Sequence, residues 1–159
     1  MKKVRLISSA AMLALLTFGS VTFMSCGKDE CPVGMEGNNC DKEIRAEMLG
    51  TYNATDKNDA DATDIVTYNP NISNGASVTV VNISKFGDFY ENTEIVTANV
   101  TKSGNVISFT IPEQLPHPEY SVKGSGSYDI SAKKLTLNYG ITEVSSNSIL
   151  NYTGTWNKQ

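Results

Sequence analysis

From Gly50 onward, apolar residues fall at every second position. Ile107, Phe109 and Ile111 share one face of a run that begins at Val106. Between residues 120 and 130, Tyr120, Val122, Gly124, Gly126, Tyr128 and Ile130 alternate with Ser121, Lys123, Ser125, Ser127 and Asp129. Leu135, Leu137, Tyr139 and Ile141 repeat the pattern, as do Leu150, Tyr152, Gly154 and Trp156. A period of two places such residues on one face of a β-strand. Strands with one dry and one wet face belong to antiparallel sheets. Ser103-Gly104-Asn105, Ser131-Ala132-Lys133 and Ser145-Ser146-Asn147 supply short turns between them. A weaker alternation predicts strands over residues 50–56, 64–69, 76–84 and 93–102. The expectation is an all-β chain of about eight hairpin-joined strands. Such a meander closes into a barrel whose interior is filled by side chains or holds one small ligand. Closure removes the edges that invite aggregation. A two-sheet sandwich of the same strands is the alternative.

The segment ahead of the strands reads differently. Asp41 can cap a short helix, Glu43 and Glu47 favour it, and Gly50 ends it. Ile44, Met48 and Leu49 form its apolar stripe, which is expected to pack on the end of the β-domain. An echo then runs through the chain. Gly50-Thr51-Tyr52, Gly126-Ser127-Tyr128 and Gly154-Thr155-Trp156 each join a glycine, a small hydroxyl and an aromatic. Glycine and ring lie two apart, on one face, so a large ring can cover a glycine of the next strand. A helix followed by Gly-x-aromatic resembles the opening of lipocalin-like barrels. A void in such a barrel is expected to be bounded by Tyr68, Phe109, Leu137, Tyr139 and Trp156 and to take a small apolar ligand.

The N-terminus supplies an address. Lys2, Lys3 and Arg5 precede an uncharged, mostly apolar stretch that runs to Met24, and the polar Gly27-Lys28-Asp29-Glu30 follows soon after. This is the pattern of a secretory signal peptide over residues 1–25. Phe23-Met24-Ser25-Cys26 resembles a lipobox, and Asp29-Glu30 after the cysteine resembles the surface-export signal of Bacteroidota lipoproteins. The resemblance implies acylation of Cys26 and an outer-membrane, surface-exposed address. Each buried methylene contributes about 0.8 kcal/mol, so two or three acyl chains anchor a protein firmly. With Cys26 acylated, Cys31 and Cys40 remain as one even pair, and an even count outside the cytoplasm points to a disulfide. Cys31, Gly34, Gly37 and Cys40 resemble the closing stretch of an EGF-like module, with glycines free to take the positive φ of a tight hairpin. Residues 26–40 are thus expected to form a tether with a small disulfide loop, and residues 41–159 the barrel.

Charge and candidate chemistry narrow the function. Loss of the three basic residues of the leader takes the net charge from -4 to about -7. Nucleic-acid binding needs clustered Lys and Arg, so no such partner is expected. The one histidine, His117, lies between Pro116 and Pro118 and is expected in a stiff loop. No nucleophile elbow accompanies it, so no enzyme and no cofactor are expected. Asp56, Asn58, Asp59, Asp61 and Asp64 lack the glycine and terminal glutamate of a calcium loop and are expected to form an acidic, solvated turn. Phe86, Phe89 and Tyr90 crowd one connection and either plug the barrel mouth or form a binding patch. Tyr52, Tyr68, Tyr128, Tyr139, Tyr152 and Trp156 each need a partner for the polar tip when buried. The functional expectation is a non-catalytic, membrane-anchored binding module. It either holds a small apolar ligand inside or docks onto an envelope complex or polysaccharide through its end loops.

Overall fold

The computed structural model describes residues 31–159. The expected signal peptide and Cys26, the expected acylation site, lie outside the described residues. Two short strands, β1 (Met35–Glu36) and β2 (Lys42–Glu43), pair across the loop closed by the Cys31–Cys40 disulfide. Gly34 and Gly37 take φ of 89° and 95°, as the tight hairpin requires. A single 3-10 turn, η1 (Ile44–Met48), stands where a short helix was expected. Asp41 does not cap it: Glu43 occupies that position, with no side-chain hydrogen bond, because Lys42 and Glu43 are drawn into pairing with β1.

The nine longer strands are β3 (Gly50–Asn58), β4 (Ile65–Tyr68), β5 (Asn71–Asn74), β6 (Val80–Ser84), β7 (Val96–Ser103), β8 (Val106–His117), β9 (Tyr120–Asp129), β10 (Lys134–Glu143) and β11 (Ile149–Lys158). Every pairing is antiparallel. β4 and β5 both pair with β3, β4 with its far half and β5 with its first residues, so together they fill one strand position, broken at Asn69-Pro70. β11 pairs with β3 from Tyr152↔Asn58 to Lys158↔Tyr52, which closes an eight-position up-and-down barrel. The sandwich does not form, because the first and last strands meet and leave no second sheet to stack.

Several strand boundaries differ from expectation, two of them with a clear structural reason. Residues 75–79 turn instead of joining β6, and β8 continues through Pro112 and Pro116 to His117. The register shifts beyond Ile111 mark bulges, where proline is tolerated. Pro112 stands where Thr97 would find a backbone donor. The Gln114 side chain takes over, with Oε1 accepting from the Thr97 N–H at 2.8 Å and Nε2 donating to the Thr97 carbonyl at 2.8 Å.

The two ends of the barrel differ. At the near end, Ile44 and Met48 of η1 are buried in the core and Leu49 packs against it. Arg45 is buried and donates to the carbonyls of Gly75, Ser77 and Val80, while its Nε pairs with Glu43 at 2.8 Å. The Ile44 N–H donates to the Gly34 carbonyl, and Lys102 of β7 pairs with Glu36, so the disulfide loop is fastened to this end. The far end carries the β3–β4, β6–β7, β8–β9 and β10–β11 connections.

Candidate functional site

The barrel interior is packed, and its centre is polar. Asp56 points inward from β3 with no exposed surface. Its Oδ2 accepts hydrogen bonds from the hydroxyls of Tyr68 and Tyr139, each at 2.6 Å, and its Oδ1 accepts from Trp156 Nε1 at 2.8 Å. Among the described residues no Lys or Arg forms an ion pair with it. Asn58, one interior position further along, is buried as well and donates to Asp64 at 3.0 Å. The acidic turn expected from the sequence therefore begins only at Asp59. Asp56 and Asn58 fall on the inward phase of a strand longer than the pattern predicted. Alternation did carry the signal, since Tyr52, Ala54, Asp56 and Asn58 are spaced by two; the carboxylate broke the apolar rule and hid it.

For three of the buried ring tips the expected partner is thus supplied by one carboxylate. Tyr52 instead donates to the Met48 carbonyl at 2.6 Å. The rings of the three glycine-aromatic segments converge: Tyr52 lies 6.3 Å from Tyr128 and 6.2 Å from Trp156 between ring centroids. Phe109 covers Gly126 of the neighbouring strand so closely that a Cβ there would sit 2.4 Å from Phe109 Cζ.

Tyr68, Phe109, Leu137, Tyr139 and Trp156, expected around a void, are all buried and belong to one continuous core. Phe86 enters that core from the β6–β7 connection. Its ring meets Tyr139 at 4.7 Å and Trp156 at 5.6 Å. Lys85, Gly87 and Asp88 all have positive φ, and this sharp reversal drives Phe86 inward. Tyr90 is buried too, while Phe89 stays partly exposed and packs on Tyr120 and Tyr152. Phe86 thus fills the barrel mouth from inside, while Phe89 and Tyr90 also line an outer cleft. η1 and the Phe86 loop therefore stop the two ends.

Burial raises the Tyr68 and Tyr139 hydroxyls well above the usual tyrosine value of 10.0, and the nearby Asp56 adds to the effect. Burial does the same for Tyr52, with Tyr128 adding to it. In the folded chain these phenols keep their protons, while in the unfolded chain they ionise near 10. The unfolded state therefore binds fewer protons at alkaline pH, and stability falls as pH rises past about 10, by up to about 1.4 kcal/mol per pH unit for each such tyrosine. Absorbance at 295 nm is expected to show these residues ionising together with cooperative unfolding. Independent titration in the folded state would contradict the burial.

Clefts open on the outside, around the far end. One, about 600 Å³, is lined by Thr67, Tyr68 and Asn69 of one segment and by Lys85, Asp88, Phe89, Tyr90, Glu91 and Asn92 of another. A smaller one of about 220 Å³ lies across Phe89, between Tyr120, Ile141 and Leu150. A third, about 450 Å³, separates Leu115 from Val144 on the outer wall. Among the exposed large apolar residues, Ile65, Ile95, Leu115, Val144, Ile149 and Leu150 sit toward the far end. Glu113, Glu119 and Glu143 border them. His117 closes β8 instead of lying in a loop; its Nδ1 accepts from the Glu119 N–H at 3.1 Å, and its Nε2 lies 3.7 Å from Glu94. Among the described residues no group of His, Cys, Asp and Glu is placed to hold a metal ion.

These features define a closed eight-stranded antiparallel barrel with a packed interior and an apolar, acid-bordered rim at one end. Comparison of the chain with family models, with curated proteins and with solved structures finds no match.

Proposed function

We propose that this chain is a cell-envelope lipoprotein, anchored through acylated Cys26, whose barrel is a non-catalytic module that docks an envelope protein through its far end. The observation that carries this reading is the asymmetry of the barrel. The disulfide loop that follows the anchor is fastened to the near end, whereas exposed apolar residues and carboxylates gather at the other. An apolar patch bordered by one charge sign is the character of a protein interaction surface. A small apolar ligand inside the barrel, the other expectation, would have to displace Phe86 and part the Trp156–Asp56 hydrogen bond. The partner this rim fits carries apolar side chains flanked by Lys or Arg; a neutral polysaccharide would leave the glutamates without counterparts.

The test has two arms. Mass spectrometry of the mature protein is expected to find diacylglycerol and acyl chains on Cys26, and Cys26→Ala to release the protein from the membrane. A photo-crosslinking residue at Val144, used in cells, is expected to give a discrete protein adduct that the same residue at Val106, toward the near end, does not give. The pair Glu119→Lys and Glu143→Lys is expected to reduce that adduct at least fivefold. An unmodified N-terminus defeats the anchor. Equal adducts from both positions, or none from Val144, defeat the docking surface.

A further inference from the structure

The barrel wall has one open seam. β4 pairs with β3 along one edge, and among the described residues no strand pairs with its other edge. β6 stops at Ser84, opposite Asn71, and the chain then leaves the wall to form the Phe86 plug. Residues 86–88 lie against part of β4, and the rest of the position that a continued β6 would fill is left to the cleft of about 600 Å³.

The hydrogen-bond phase shows which groups face that cleft. Tyr52 donates to the Pro70 carbonyl and Asn58 to the Asp64 carbonyl, so the even-numbered residues between them face each other across the β3–β4 ladder. The odd-numbered residues of β3 bond the other way, toward β11, as the Asp59 N–H to the Asn151 carbonyl confirms for that edge. By the same alternation, the main-chain N–H and C=O groups of Ile65, Thr67 and Asn69 point away from β3, into the seam. Exposed strand edges are ordinarily blunted by lysines, by bulges or by a covering segment. β4 carries no lysine and shows Ile65 to solvent, and the Phe86–Asp88 turn covers only part of it, so that Thr67 and Asn69 still line the cleft.

We propose that this seam is a binding site for an extended peptide strand, which adds to the β4 edge by main-chain pairing and lies between Thr67 and the Asp88–Asn92 segment. Strand addition to an open edge is a general mode of peptide recognition, in which the main chain gives affinity and the side chains give selectivity. The flanking charge selects the peptide. Asp88 and Glu91 stand on the loop side and Asp64 precedes β4, against Lys85 as the cation of the lining. A strand bearing Lys or Arg at alternate positions fits, and one bearing Asp or Glu is repelled. This site adjoins the apolar rim at Ile65 and does not depend on the lipid anchor.

The experiment uses the full chain in detergent and a synthetic probe, acetyl-Lys-Val-Thr-Val-Lys-Val-Thr-Val-Lys-amide. Fluorescence anisotropy is expected to show saturable binding, and hydrogen exchange read by mass spectrometry to show the 64–69 segment protected at least tenfold. The same peptide with alternate backbone nitrogens methylated is expected to bind at least tenfold more weakly, since only its pairing edge has changed. Glutamate in place of the lysines should lower affinity by a similar factor. On the protein, Thr67→Pro removes an outward N–H, and proline is tolerated at a strand edge; it should keep the parent melting temperature and lose binding tenfold. If Thr67→Pro unfolds, the methylated probe decides alone. Unchanged exchange at 64–69, or equal binding of the methylated probe, overturns the proposal. So does cellohexaose binding at 64–69 where the lysine peptide does not, since the cleft would then be a glycan site.

Discussion

Replacing Asp56 by alanine is expected to unfold most of the population near body temperature. The substitution leaves the Tyr68 and Tyr139 hydroxyls and the Trp156 indole N–H inside the barrel with no acceptor. An orphaned buried donor costs about 1–3 kcal/mol, so the combined loss for three is about 3–9 kcal/mol. A domain of this size is typically stable by about 5–15 kcal/mol, so the loss is a large share of the whole. Asp56→Asn should be milder, about 1–3 kcal/mol. Its one oxygen still accepts, and a tyrosine hydroxyl can rotate to accept from the amide. Urea denaturation followed by tryptophan fluorescence checks both. A loss below about 1 kcal/mol for the alanine variant would mean that water replaces the carboxylate, and the packed interior described above would be wrong.

The second large effect is expected at Phe86. Truncation to alanine removes a fully buried ring from between Tyr139 and Trp156 and withdraws the stopper of the far end. Loss of a buried phenylalanine costs about 3–5 kcal/mol, and part of that depends on how far the site collapses. The backbone of Lys85–Asp88 will not collapse easily, because three of its four residues sit at positive φ. The expected result is a drop in unfolding free energy in that range. With it should come a red shift of the single tryptophan, as water reaches Trp156 through the opened mouth. Phe89→Ala, at a partly exposed ring of the same loop, should cost far less. Equal losses at the two positions would refute the plug.

Much of the barrel was legible because a strand repeats every two residues and the core demands apolar side chains on one phase. β8 to β11 have long alternations, and most positions of the apolar phase are buried, although Leu150 on that phase is exposed at the far end. The first half was harder for identifiable reasons. β4 and β5 are fragments of one strand position, and neither is long enough to show a period. Val78 and Thr79 favour a strand, yet residues 75–79 turn and hold Arg45 through the carbonyls of Gly75 and Ser77. The run past Ile111 carries two prolines, which ordinarily end a strand; the Gln114 amide that repairs the ladder has no sequence signature. At the site level, the tyrosines announced a need for acceptors, and Asp56 was one residue class away from the rule that would have placed it. The seam beside β4 was invisible, because it arises from what β6 fails to do.

The closing contact between β3 and β11 has a kinetic consequence. It joins residues as far apart as Asp56 and Trp156, 100 positions along the chain. A polypeptide delivered from its N-terminus therefore waits with both its first and its latest ribbon unzipped until β11 arrives, and the carboxylate at the centre has no indole to hold until then. Assembly should be slow, as expected when distant segments must meet before any reward accrues, and a cell making this protein must shelter it in that half-built state.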